Sequence, residues 1–234
     1  MTEQNNENQA VSSDVLNKLR ASVLGANDGI VSVSSMLMGV AGATDNTGSI
    51  FTAGLAALVA GALSMAVGEY VSVSSQSDAE KAYIEREKNL LQKHPKQQLE
   101  ELVQAYVDKG IHEKTARQVA NELTKNDALH AHLMTEFGMG EDEVVQPMHA
   151  ALSSFFSFSV GGLIPFITII TVPHSFRIIA TGCAVLVALT LTGYMSASVG
   201  GASKRRAILR VVAGGLAAMI VTYYVGSLFG AKVG

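Results

Sequence analysis

Five apolar stretches limit what this chain can fold into. They cover about residues 21–43, 50–76, 150–172, 178–202 and 207–231. A helix of about 20 apolar residues crosses the hydrocarbon core of a bilayer, so each stretch is long enough to span a membrane. Charged residues make up only 16% of the chain, whereas soluble domains average about 25%. The sequence therefore predicts an all-α membrane protein with five transmembrane helices that passes repeatedly through the lipid bilayer.

A polar segment separates the second and third apolar stretches. It holds 14 of the 20 acidic residues and four of the six histidines. Pro95 and Gly110 bound one helical pattern within it, and the pattern before Pro95 continues the second apolar stretch. We expect a disordered tail at 1–13, transmembrane helices 1 and 2 within 14–76, an insert of three to four helices at 77–146, and transmembrane helices 3 to 5 within 147–234.

Lysine and arginine are distributed unevenly between the two predicted sides of the membrane. Fifteen lie on one side, and only Arg177 and Lys232 lie on the other. Because basic residues are enriched on the cytoplasmic side, we expect the N-terminus, the insert and the 203–206 loop in the cytoplasm and the C-terminus outside. The chain has no basic patch with interleaved aromatic residues, so nucleic acid is not an expected partner.

Two carboxylates interrupt the first two apolar stretches. Asp28 lies about seven residues inside the cytoplasmic start of helix 1, and Glu69 about seven residues before the cytoplasmic end of helix 2. Both should lie roughly 10 Å inside the cytoplasmic face, because a short turn makes the two helices antiparallel neighbours. An intramembrane carboxylate is costly and by default marks an ion or proton site. The alternative is capping or snorkelling, which we disfavour because no Lys or Arg is expected near either group.

Other potential ligands follow these carboxylates along the same helix faces. Ser32 and Met36 come after Asp28 at four-residue spacing, and Met65 precedes Glu69 by four residues. These side chains predict a transport path lined by carboxylate, hydroxyl and thioether groups. Carboxylates suit divalent cations, and a thioether favours a transition metal over Mg²⁺ or Ca²⁺. Ordinary packing is the favoured alternative for Met36. Fe²⁺, Mn²⁺, Co²⁺ and Zn²⁺ all fit this ligand set, so the pattern does not predict selectivity.

Acidic residues also recur on the predicted helices of the insert. Glu80 and Glu87 lie seven residues apart on one helical face. The candidate metal ligands of the insert are Glu80, Glu87, Glu100, Glu101, Met134 and Glu136. Composition alone favours the alternative, which is a solvated face of amphipathic helices. His130 and His132 are two residues apart, so they cannot share one side of a helix and are a weak indication of metal binding.

Two glycines allow helix 1 to approach another helix closely. Gly25 and Gly29 lie one turn apart beside Asp28, and small residues are typical of close contacts between membrane helices. Packing within the chain and pairing with a second copy fit this pattern equally well. In the second case, two Asp28 side chains would face one path across a dimer axis. This is the basis for expecting a homodimer through transmembrane helix 1.

Four segments of the chain resemble the vacuolar iron transporter (VIT) family. They are ANDGIVSVSSMLMGVAGA at 26–43, GALSMAVGEYVSVSSQSDAEKAYIERE at 61–87, PMHAALSSFFSFSVGGLIPF at 147–166 and RAILRVVAGGLAAMIVTYYVGSLFG at 206–230. The resemblance covers nearly the whole chain after about residue 18. It is to a bacterial-type member that carries the cytoplasmic metal-binding insert.

The resemblance implies a homodimer of five-helix protomers that moves Fe²⁺, and often Mn²⁺, out of the cytoplasm in exchange for protons. It implies that Asp28 and Met65 line the ion path and that Glu69 lies at its cytoplasmic end. It also implies a helical insert that binds metal through Glu and Met side chains. This chain departs from the family pattern at Gln97 and Gln98, where acidic residues are usual.

The sequence thus predicts a proton-coupled transporter of divalent metal that contributes to iron homeostasis and detoxification. Neither an enzyme activity nor a tightly bound cofactor is expected, because the metal is the transported ion. If the chain is bacterial, the expected location is the inner cell membrane. The alternative is a membrane-anchored metal sensor or buffer that does not transport, for which the intramembrane carboxylates would have no use.

Overall fold

The computed structural model describes residues 13–138, 140 and 145–233. This part of the chain folds into seven α-helices and contains no strand. The helices are α1 (Ser13–Ala43), α2 (Thr47–Lys93), α3 (Pro95–Asp108), α4 (Glu113–Glu136), α5 (Pro147–Thr171), α6 (Arg177–Val199) and α7 (Lys204–Val233). The predicted all-α class is confirmed. The predicted tail at 1–13 lies outside the described residues, apart from Ser13 at the start of α1.

Five of these helices are long and apolar enough to cross a membrane, as predicted. They are α1 from Leu19 onward, α2, α5, α6 and α7. Helix α2 has 47 residues and is therefore about 70 Å long, more than twice the length that a bilayer core requires. Its first half is apolar and its second half is polar. Helix α6 ends at Val199, short of the predicted 202, because Gly201 adopts a positive φ of 62°.

The helices form two compact units. The first, here called the membrane unit, consists of Asn17–Val71 and Pro147–Gly234. Its interior contains two apolar clusters, one around Leu37, Ile50 and Phe158 and one around Ile30 and Leu189. Many large apolar side chains remain exposed on its outer face, as expected where lipid replaces water.

Gly25 and Gly29 contact another helix of the same chain. A Cβ atom at Gly25 would lie 2.7 Å from the carbonyl oxygen of Ser154, and one at Gly29 would overlap the carbonyl oxygen of Phe158. Both partners belong to α5, so the backbones of α1 and α5 touch at this point. The hypothesis that these two glycines pair with a second copy is therefore wrong. Packing within the chain explains why small residues are needed here.

The second unit, here called the insert unit, consists of the described residues within Ser72–Gln146, together with residues 13–16. It contains the polar half of α2 together with α3 and α4, around a core of Leu102, Val103, Ala116, Ala120 and Ala131. Helix α4 is two helices merged across a kink at Asp127, which has an extended backbone with φ −157° and ψ 98°. The Asp127 carboxylate accepts a hydrogen bond from the His130 amide and so caps the second half.

Candidate functional site

A cavity of about 450 Å³ lies inside the membrane unit, among α1, α2 and α5. Residues at helical spacing on α1 and α2 form two of its walls, and the ring of Phe158 on α5 closes a third side. The lining residues are Asp28, Ser32, Met36, Ala57, Gly61, Ser64, Met65, Gly68, Glu69 and Phe158. All of the side chains that the sequence assigns to a transport path therefore line one space.

Helical periodicity explains why these side chains converge. Asp28, Ser32 and Met36 are four residues apart and so lie on one face of α1, whereas Met65 and Glu69 share a face of α2. Gly29 of α1 packs against the backbone of Phe158 on α5, and the ring of Phe158 lies against Gly61 of α2. Glycine packing thus holds α1 against α5, and the side chains of Asp28, Ser32 and Met36 on α1 line the cavity.

The hydroxyl of Ser32, which lies one turn from Asp28, does not donate a hydrogen bond to the Asp28 carboxylate. The Ser32 hydroxyl donates to the backbone carbonyl of Asp28, as hydroxyls in membrane helices often do, and not to the carboxylate. In the part of the chain that the structure describes, no hydrogen bond or ion pair reaches that carboxylate. Ser32 and Met36 are exposed along the same face, and 49% of Met36 is accessible. The Asp28 carboxyl group therefore faces an open space without such a partner among the described residues.

Glu69 does have a cationic partner. The Nη2 atom of Arg20 lies 3.3 Å from Oε1 of Glu69; the Arg20 side chain is 59% exposed and the Glu69 side chain 10%. The expectation that no Lys or Arg neutralises either carboxylate is therefore wrong for Glu69. Arg20 precedes Asp28 by eight residues on α1, and its long side chain reaches across to the carboxylate of Glu69.

The insert unit contains a buried acidic cluster around His132. Its Nδ1 atom lies 3.2 Å from Oε1 of Glu87 and 3.5 Å from Oε1 of Glu136. His132 is fully buried and Glu87 nearly so. Oε1 of Glu87, both ring nitrogens of His132 and Oε1 of Gln98 are buried without a properly oriented hydrogen-bond partner. Such unpaired polar atoms are unusual in a protein interior and call for an explanation.

Neighbouring groups shift the pKa of the Glu87 carboxyl in opposite directions. Burial raises the pKa of the Glu87 carboxyl, His132 lowers it, and the neighbouring carboxylates of Glu136 and Glu101 raise it further. Gln98 donates to Oε2 of Glu101 at 2.8 Å and is itself buried. A cation bound here would relieve the repulsion among the carboxylates. In the described residues, however, no three His, Cys, Asp or Glu side chains form a ready-made metal site.

The other predicted ligands of the insert are engaged elsewhere. Both oxygens of Glu100 accept hydrogen bonds from Arg117, which lowers the pKa of Glu100. Glu80 accepts hydrogen bonds from Gln76 and from the Val145 amide. His130 and Met134 are exposed. The structure therefore does not unite the six predicted residues in one site; it brings Glu87 and Glu136 to His132, and Glu101 lies near Glu87.

Comparisons with known proteins identify the family of this chain. Residues 19–227 match the model of the VIT family. The chain belongs to the VIT family. The vacuolar iron transporter of Acanthamoeba castellanii is 42% identical over 212 residues, which is 90% of this chain and 78% of that protein. Vacuolar iron transporter homolog 1 of Oryza sativa subsp. japonica is 36% identical over 91% of this chain and 74% of its own length. Vacuolar iron transporter homolog 2 of Arabidopsis thaliana is 33% identical over 91% and 84%.

Some site residues of this VIT-family chain were missed in the sequence. Gly61 and Ser64 line the cavity together with Met65, and a signal for them exists, because they fall on the same face of α2 at spacings of three and four residues. Phe158 and Arg20 carried no such signal. Phe158 lines the cavity from α5, and Arg20 reaches Glu69 from outside the predicted ligand face of α1. His132 was rated a weak indication and lies at the centre of the insert cluster.

Proposed function

We propose that this chain carries Fe²⁺ across the membrane through the cavity of its membrane unit. The observation that carries the proposal is the convergence of Asp28, Glu69 and Met65 in a cavity walled by apolar helices. An ionisable group at such a place needs a functional reason, because its insertion costs at least about 2.5–3.5 kcal/mol. Relatives that are named iron transporters, at 42% identity in one case, support iron as the ion.

The ligand types suit a divalent transition metal. Two carboxylates supply negative charge, and the thioether of Met65 adds a soft ligand that Mg²⁺ and Ca²⁺ do not favour. Fe²⁺ and Mn²⁺ are the ions we propose, while Co²⁺ and Zn²⁺ fit the same ligands and would compete. The hydroxyls of Ser32 and Ser64 line the cavity as well and offer oxygen contacts to a partly hydrated ion.

Proton exchange is the proposed source of driving force. A carboxylate that lies in a low-dielectric space needs another positive charge when its cation leaves, and a proton supplies that charge. Asp28 has no cationic side chain beside it among the described residues, so we propose that it is the group on which a proton replaces the metal ion. The distribution of Lys and Arg supports a cytoplasmic insert and N-terminus, with metal leaving the cytoplasm.

A second copy is the proposed cover of the cavity. Ser32, Met36 and Ser64 line it and are exposed, and a Cβ at Gly68 would meet nothing within 4 Å. In a bilayer this open side would bring lipid tails against Asp28, which is unfavourable. We therefore retain the homodimer through transmembrane helix 1. Its support is now the open face of α1, not the glycine pair.

The insert unit is the proposed acceptor of metal before transport. Glu87, His132 and Glu136 provide two carboxylates and an imidazole, all ligands that iron accepts. The unpaired buried atoms of Glu87 and His132 support this role. The same observation favours a second candidate function, in which the protein buffers or senses metal without moving it. The two functions differ in whether the cavity is used.

Flux through proteoliposomes tests the proposal. With an acidic lumen imposed, the purified full chain should accumulate Fe²⁺ or Mn²⁺, and Asp28→Asn should reduce the rate to that of empty liposomes. Asp45→Asn is the matched control, since Asp45 is an exposed carboxylate in the turn after α1 and pairs with His174. Undiminished flux in Asp28→Asn would refute the proposal, whereas metal binding without any flux in the wild type would establish the buffer.

A further inference from the structure

The contact between Arg20 and Glu69 joins an exposed cation to an enclosed anion. Glu69 is largely enclosed and lines the cavity, whereas most of the Arg20 side chain is exposed. A single contact of 3.3 Å holds the guanidinium, without the two parallel bonds typical of a tight Arg–carboxylate pair. Arg20 can therefore leave Glu69 and remain solvated, but Glu69 cannot follow it.

A divalent cation and this guanidinium compete for the same oxygen atom. Without metal, Arg20 offsets one of the two carboxylates and leaves the cavity with one negative charge. With a divalent ion in place of Arg20, the cavity is neutral; with both present, it would carry a net positive charge. Like charges a few ångströms apart repel strongly where the effective dielectric constant is low. Simultaneous occupancy is thus disfavoured.

We propose that Arg20 is the resident counter-ion of the transport cavity, which an incoming divalent cation displaces from Glu69. This inference rests on the proposed function and deepens it. Arg20 is a positioning residue: it offsets the negative charge of Glu69 while the cavity is empty and lowers the apparent affinity for metal. It also returns to Glu69 when the metal leaves, so it opposes rebinding of the released ion.

Metal binding by the purified full chain tests the displacement without any need for transport. Mn²⁺ serves as the probe, and only the binding that Asp28→Asn removes is counted, so that the insert does not contribute. Arg20→Gln should lower the Mn²⁺ concentration at half-saturation about three- to tenfold, because it removes a competitor worth about 1 kcal/mol. Arg20→Lys should lower it less than Arg20→Gln. Arg206→Gln is the control; it removes one exposed charge from the same predicted side and should change the value less than twofold.

A double-mutant cycle isolates the pair. In a Glu69→Gln background, Arg20→Gln should no longer tighten Mn²⁺ binding, because the carboxylate for which metal and guanidinium compete is absent. An unchanged or weaker affinity in Arg20→Gln, or an equal shift in Arg206→Gln, would overturn the inference. Either result leaves the proposed function intact. Absence of gradient-driven flux in the wild type would instead overturn the proposed function, while the binding measurements would still report whether metal and Arg20 compete for Glu69.

The wild-type protein provides a test that does not depend on a variant folding. Phenylglyoxal modifies arginine side chains, and peptide mapping reports the rate at each site. Saturating Mn²⁺ should accelerate modification of Arg20, which is released from its carboxylate, and leave Arg206 unchanged. Mn²⁺ that slows modification of Arg20, or leaves its rate unaltered, would show that metal does not displace the guanidinium.

Discussion

The membrane unit and the insert unit each gather acidic side chains, and they treat them differently. In the cavity, Asp28 faces an open space with no cation beside it among the residues that the structure describes, and Glu69 is paired with a largely exposed arginine. In the insert, Glu87 and His132 are buried against each other. An open site lets an ion enter and leave quickly, whereas a buried one retains it. We propose from this contrast that the cavity transports the ion and that the insert cluster retains it.

A Glu→Gln substitution made in each of the two units should give the largest difference in maximal metal flux. Glu69→Gln removes an anionic ligand from the cavity, so the maximal metal flux should fall at least about tenfold. Replacing a residue that only hydrogen-bonds to a metal ligand already costs about tenfold in activity. Glu87→Gln should leave the maximal flux within about twofold of the wild type. Proteoliposome flux at saturating Mn²⁺ measures both. If Glu87→Gln reduces the maximal flux as much as Glu69→Gln, the division of roles is wrong.

The wall of the cavity depends on the contact between α1 and α5. Gly29→Ala forces a methyl group onto the carbonyl oxygen of Phe158, and overpacking of this kind costs about 1–3 kcal/mol. Thermal unfolding of the purified protein should occur at a clearly lower temperature. Gly68→Ala is the matched control, because nothing lies within 4 Å of its Cβ position. Equal stability of the two variants would contradict the described packing.

The insert cluster should control affinity more than rate. Glu87→Gln keeps the shape of the side chain and removes its charge, so the insert-dependent part of Mn²⁺ binding should weaken about tenfold. Glu85→Gln changes an exposed carboxylate two residues away on the same helix and should have no effect. Equilibrium binding to the full chain, in an Asp28→Asn background, measures both. Equal binding by the two variants would remove the basis for a metal site at His132.

The smallest expected effect concerns the exposed pair of Glu100 and Arg117. Arg117 lowers the pKa of Glu100 through its hydrogen bonds, so the pair stabilises the fold above the ordinary glutamate pKa of about 4.3. That stabilisation is lost as the pH falls through the lowered pKa. Arg117→Gln should therefore reduce the unfolding temperature slightly near neutral pH, and the difference should shrink on acidification. A difference that grows at acid pH would reverse the assigned sign.

The sequence predicted those features that depend on local periodicity. Apolar length identified the membrane spans, and four-residue spacing identified Asp28, Ser32 and Met36 as one face of α1. Contacts between distant residues were not predictable in the same way. Arg20 meets Glu69 across 49 residues of sequence, and no pattern specified that Gly25 and Gly29 would pack on α5 and not on a second copy. His132 joins Glu87 only after α4 folds back, which the weak two-residue histidine spacing did not reveal.

The most direct test of the account is the simultaneous measurement of metal and proton movement. Liposomes that contain the full chain, a pH-sensitive dye and an acidic lumen are given Mn²⁺ outside. We predict that Mn²⁺ enters as protons leave, that both movements stop in Asp28→Asn, and that both persist in Glu87→Gln. Entry of Mn²⁺ without proton release, or proton-coupled entry that survives Asp28→Asn, would contradict the central claim that Asp28 exchanges metal for protons.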